Sequence, residues 1–228
     1  MTLAEIRAAV YRKLDSDSTS LRYPSATVTQ LINDGYSYMA TRSFCVMASS
    51  TLTPVAGQLI YDLPTDCVRV MRVFRTDTAE MVWPVDMARL DHKWSNWESA
   101  TGTRFQWYFM LGLDRIVIGP IFSAVGGEAY SILYAQNPAE MDDDADVPEI
   151  PREYHEDLQD YATGRALLLD GSQEWLEKAT KYLGDFQQAT QRLRRQTGKT
   201  MDRVHQMRPE DSRFGDVTDD GPSMGSVL

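Results

Sequence analysis

The spacing of apolar residues changes twice along this chain, and that double change constrains the fold more than any other feature. From Leu3 to Phe44 apolar positions recur at about 3.6 residues; from Thr51 they alternate with a period of about 2 among β-branched and aromatic neighbours; after Glu149 helical spacing returns. Two helical segments therefore flank a run of strands. Neither helical pair alone can cover its apolar stripe, so the pairs are expected to close on each other. The predicted fold class is α+β: a bundle of N- and C-terminal helices, an inserted antiparallel β-sandwich or small barrel, and an extended C-terminal tail. The expected units are 1–48 and 140–198 for the two halves of the helical domain, 49–139 for the β module, and 199–228 for the tail.

Local signals place the elements. Thr2-Leu-Ala-Glu5 spells a capping box ahead of Leu3, Ile6, Val10 and Leu14, and Thr27-Val-Thr-Gln30 spells a second ahead of a helix running to about Phe44. Strands are expected over 52–55, 58–63, 67–75, 81–85, 104–110, 115–118 and 128–135, with a short helix over 86–94 that Asp86 can cap. Pro151 suits a first helical position and Gly171 a stop. The last helix is expected over Ser172 to Arg195, where Trp175, Leu176, Ala179, Tyr182, Leu183, Phe186 and Leu193 trace one face. Beyond Gly198 the periodicity is expected to end.

Charge is unevenly placed. The formal net charge of -10 argues against a surface built to grip a phosphate backbone. Glu140 to Asp160 holds ten acidic residues and one arginine, whereas Gln187 to Arg208 holds six basic residues and one aspartate. Such opposed segments suit docking of one subunit on another, so Asp142, Asp143 and Asp144 with Arg192, Arg194 and Arg195 are the candidate subunit–subunit interface; two solvated helix faces are the plainer reading. Trp83, Trp94, Trp97 and Trp107 concentrate in the β module as a candidate aromatic surface, read as core and interface residues or, alternatively, as a receptor- or carbohydrate-binding face. In the tail, Met201, Val204, Arg208, Phe214, Val217 and Leu228 are isolated anchors that can order on a partner.

Catalytic chemistry finds no foothold. There is no GxSxG elbow, phosphate-binding glycine loop or HExxH pair, and His155-Glu156 meets Gln159 where a second zinc ligand would stand. The run Asp142-Asp143-Asp144-Ala-Asp146 lacks the glycine and distal glutamate of a calcium loop. No enzyme activity, metal or cofactor is expected. Cys45 and Cys67, the only cysteines, read as reduced core thiols. Apolar runs are too short to span a bilayer, and Met1-Thr-Leu-Ala-Glu5 offers no charged region before an apolar one, so a soluble, non-secreted protein without membrane contact is expected.

The order of several short motifs resembles tailed-phage head-to-tail adaptor proteins of the tail-tubular-A and short-tail connector type. The motifs are Val55-Ala-Gly-Gln-Leu-Ile-Tyr-Asp-Leu-Pro64, Cys67-Val-Arg-Val-Met-Arg-Val73, Arg115-Ile-Val-Ile-Gly-Pro120, Ser131-Ile-Leu-Tyr-Ala135 and Pro148-Glu-Ile-Pro-Arg-Glu-Tyr-His155. With the N-terminal helix pair that leads into them, the match covers most of Thr2 to Arg195, and the tryptophan-rich stretch from Trp83 to Phe105 departs from the pattern. The resemblance implies a structural subunit of the virion neck, made in the bacterial host cytoplasm. It implies a ring, commonly dodecameric, between the portal protein and a tail or nozzle protein, with phage DNA passing through the lumen without specific binding. It also implies that residues 199–228 reach onto the portal as a docking arm.

Overall fold

The structure is a computed structural model that describes residues 1–16, 22–94, 96–124, 127–170 and 173–206. Thr2 opens helix α1 (Leu3–Lys13) with the capping box that its spelling predicts: its side chain accepts from Glu5 N–H, and the Glu5 carboxylate accepts from Thr2 N–H. Helix α2 (Ser25–Ser43) starts earlier than the second box implies. Pro24 is its N-cap, no side chain caps it, and Thr27 already lies in its first turn. Phe44 ends it in the left-handed region at φ 56, its N–H bonded to Ala40 C=O.

Among the described residues nine strands follow: β1 (Met47–Leu52), β2 (Ile60–Asp62), β3 (Cys67–Arg75), β4 (Met81–Pro84), β5 (Thr101–Gly102), β6 (Trp107–Leu111), β7 (Arg115–Gly119), β8 (Ile121–Phe122) and β9 (Tyr130–Gln136). Helix α3 (Met87–Lys93) interrupts them, with Asp86 accepting from Ala88 N–H at 2.9 Å as its cap, followed by a tight helical turn over Trp97–Ser99. Seven strands form one curled sheet in the order β1-β9-β3-β4-β6-β7-β2, while β5 and β8 pair separately. The expected antiparallel sandwich or barrel is therefore corrected to a mixed sheet of half-barrel form, because β4 lies parallel to β6, and β5 parallel to β8. The crossover through α3 makes the β4–β6 pairing possible, since a parallel neighbour needs a long connection rather than a hairpin. Strand β1 begins at Met47, earlier than expected, because Ala48, Ser49 and Ser50 carry no apolar alternation to announce it.

The sheet is covered on both faces at one side. Along β6 and β7, Tyr108, Ile116 and Ile118 face a concave core with Leu52, Val73, Val82, Phe122, Tyr130 and Ile132. Trp107, Phe109 and Val117 face the other way, where Leu90 of α3 and Trp97 cover them. Those strands are consequently buried in nearly continuous runs rather than by alternation. Gly119 lies where any Cβ would collide with the Trp107 indole, so the close packing of this aromatic layer needs a glycine there.

After an acidic loop the chain returns to helix as α4 (His155–Asp170) and α5 (Gln173–Gln206). Pro151 stands one residue ahead of a tight turn, Arg152–Tyr154, that leads into α4, and the stop expected at Gly171 lies outside the described residues. Helices α1, α2, α4 and α5 bury one apolar core that includes Leu3, Ile6, Ile32, Met39, Leu158 and Phe186. Gly35 lets α4 approach α2 closely, since a Cβ there would lie 2.7 Å from the Tyr161 ring. Helix α5 runs 34 residues, about 51 Å at 1.5 Å per residue, and corrects the end expected near Arg195. Gly198 does not stop it, because one interior glycine costs only about 1 kcal/mol and Thr197, Met201 and Val204 prolong the spacing of Phe186 and Leu193. The first eight residues of the expected tail are thus helical.

Candidate functional site

The acidic loop is built onto the start of α1. Leu3 N–H bonds Asp146 C=O at 2.8 Å and Ala4 N–H bonds Asp144 C=O at 3.1 Å, which satisfies two of the amide groups that a helix start leaves unpaired. The Asp146 carboxylate accepts from the amides of Asp142 and Asp143, both at 2.9 Å, and so fixes the turn. Asp144 reaches Arg7 at 2.6 Å. The side chains of Asp142 and Asp143 are exposed and take part in no ion pair among the described residues. Of the three aspartates named from sequence, one therefore has an internal partner and two point their charge outward.

The three arginines named from sequence, Arg192, Arg194 and Arg195, all lie on α5 and separate in the same way. Arg192 lies close enough to Asp157 on α4 to attract its carboxylate. Burial outweighs that attraction and pushes the Asp157 carboxyl up to about 6, with Asp160 and Glu156 pushing in the same direction. Arg194 lies over the Phe44 ring at 6.0 Å from its centroid, and Arg69 of β3 lies over the same ring at 5.3 Å. Arg195 is exposed. Arg42, two residues before Phe44, lies over the Tyr38 ring at 5.5 Å from its centroid. Residues from α2, β3 and α5 thus gather at the junction between the helices and the sheet. Sequence reading missed Arg42, Arg69 and Phe44, because nothing local links position 69 in a strand to position 194 in a helix.

The aromatic candidates are not a uniform surface. Trp97 and Trp107 are only 5% and 3% exposed, which places these two in the core rather than on the aromatic surface. They meet edge to face with ring centroids 5.5 Å apart, and the Trp97 indole N–H donates to Asp91 at 2.7 Å. Trp83 and Trp94 are half-buried. Trp94, Trp97, Trp107 and Pro120 line an open groove of about 490 Å³ with Thr101 and Gln106.

Among the described residues no group of three or more His, Cys, Asp and Glu side chains could hold a metal ion. His155 is buried between the N-terminal ammonium, 2.9 Å from Nδ1, and Ile150 C=O, 3.0 Å from Nε2. Burial lowers its pKa, so the neutral ring donates through Nε2 and accepts through Nδ1. Burial also raises the Cys45 and Cys67 thiols, which keeps them protonated. No described helix is long and apolar enough to cross a membrane. Of the tail candidates, Met201 and Val204 fall on α5 with side chains outside the described residues; Arg208, Phe214, Val217 and Leu228 lie outside those residues altogether.

No curated protein matches the chain. The family model described as SU10 adaptor protein matches residues 1–209, the helices, the sheet and the helical start of the expected tail alike. The chain therefore belongs to the SU10 adaptor protein family, which supports a phage adaptor protein.

Proposed function

We propose that the chain is a non-catalytic structural subunit of a tailed-phage neck, an adaptor that forms a ring between the capsid portal and the tail and surrounds part of the DNA exit channel. The family match over residues 1–209 carries the reading. The division of the described residues into a helical core and a sheet with its own core supports it, since two separately packed surfaces suit a part that must meet two partners. In this reading the residues after α5 dock on the portal protein, and the tail or nozzle protein meets another surface. A ring multiplies the net charge of -10, so duplex DNA in the lumen meets a repulsive wall and slides.

Electron microscopy of portal rings mixed with the full chain, or with a chain ending at Gln206, tests both claims. Ending at Gln206 leaves α5 whole. A symmetric collar with the full chain alone supports the adaptor role and the docking arm; a collar with both removes the arm from the account; no collar with either sinks the role. Tight duplex DNA binding by the isolated protein at physiological salt would sink the sliding channel. The receptor- or carbohydrate-binding alternative draws little support, because Trp97 and Trp107 spend their rings on one another and on Phe109.

A further inference from the structure

Two charged clusters on this chain are held ready and left without a carboxylate or guanidinium partner. One is the acidic turn, where Asp142 and Asp143 point outward from a loop already fixed by the Asp146 carboxylate and by α1. The other is the junction, where Arg69 and Arg194 share the Phe44 ring, exposed Arg195 follows, and none of the three forms an ion pair among the described residues.

Among the described residues no ion pair joins the two clusters within one copy. Met141, next to the acidic turn, is tied to Asn33 by hydrogen bonds in both directions at 3.1 Å. Phe44 lies eleven residues further along α2, about 16 Å of helix. Arg192, by contrast, has its carboxylate at home in Asp157. We propose that the acidic turn of one copy docks on the Arg69–Phe44–Arg194 junction of the next, a head-to-tail contact between unlike surfaces of identical chains. This rests on the ring reading above and assigns its subunit interface.

The chemistry favours this occupant. A contact between unlike patches repeats from copy to copy and closes into a ring or continues as a filament, whereas a contact between like patches stops at two. Guanidiniums stacked on an aromatic ring are pre-oriented and keep their N–H edges for a carboxylate, so less freedom is lost on docking. The contact should be steered by charge and weakened by salt.

Sedimentation of the full chain, at low and high salt, with Arg69→Glu/Arg194→Glu and Asp142→Lys/Asp143→Lys variants tests the proposal. The wild type is expected to self-associate at low salt, each variant alone to associate at least about tenfold more weakly, and an equimolar mixture of the two variants to recover association through the reversed pairing. Circular dichroism identical to wild type shows that the variants fold. Association that ignores both reversals overturns the assigned interface while leaving the ring standing. A wild type that stays monomeric at low salt overturns the interface, and failure to decorate portal rings is the separate result that removes the ring. Loss of duplex DNA binding in the arginine variant, with self-association unchanged, gives the junction to phosphate instead and overturns the proposal.

Discussion

Asp157 shows how one residue can work against the stability of its own fold. Its folded-state pKa of about 6 stands above the ordinary value of 3.8. The folded chain therefore binds a proton that the unfolded chain lacks between about pH 6 and pH 4, and stability rises as pH falls through that window. Above it the burial penalty is fully present. Asp157→Asn should stabilise the protein at about pH 7 by on the order of 1 kcal/mol, discounted because the group is only half-buried, and the gain should vanish near pH 4. Thermal melts at both pH values check this; a lower melting temperature for the variant at neutral pH means that the Arg192 attraction dominates. Gly119 makes a second residue-scale case. Gly119→Ala drives a methyl into the Trp107 ring and should cost about 1–3 kcal/mol, read from a urea midpoint. Sequence shows Gly119 only as one glycine before a proline, because the ring it must admit sits on another strand.

Among the elements, those with a strong period and a local start signal were legible. The capping box at Thr2, the Asp86 cap and the strand Cys67–Arg75 agree with expectation. Elements shaped by distant partners were not. Strand β1 is held by β9, pairing residue by residue from Met47↔Ala135 to Leu52↔Tyr130, and its own small polar residues give no sign of it. The parallel β4–β6 pairing depends on where α3 returns the chain, which no local spelling encodes. Helix α5 runs past its expected end because its apolar residues thin out after Leu193 while the helix itself continues through Gly198. Its other interior glycine, Gly184, has open space where a Cβ would stand, so Gly184→Ala should stabilise α5 by up to about 1 kcal/mol. A higher urea midpoint with an unchanged slope checks that prediction.

Over the whole chain, the α+β class and the chain order of its parts were readable from the change of period, whereas the half-barrel form and the junction arginines arise from contacts far apart in sequence. Four of the five tryptophans belong to the sheet part and only Trp175 packs on the helical core. Tryptophan fluorescence therefore reports chiefly on the sheet, and far-ultraviolet dichroism chiefly on the helices. Among the described residues the bonds between the two parts include Ser37 to Asn137 and the Gln136 side chain to Glu149. Urea unfolding followed by both signals should give two midpoints; superimposable curves would show that the cores melt as one.

The chain enters the sheet through β1 and leaves it through β9, and these strands are paired neighbours whose helix-side ends, Met47 and Ala135, stand opposite each other. Both are moored to the same helical body through α2 and α4, which pack on one core. A pull between the helices and the sheet therefore runs along two strands side by side, like a load on a doubled cable. Neither strand is peeled from the other, so the ladder between them is not opened one bond at a time. In the ring proposed above, such a mooring would keep the sheet joined to the helices under load.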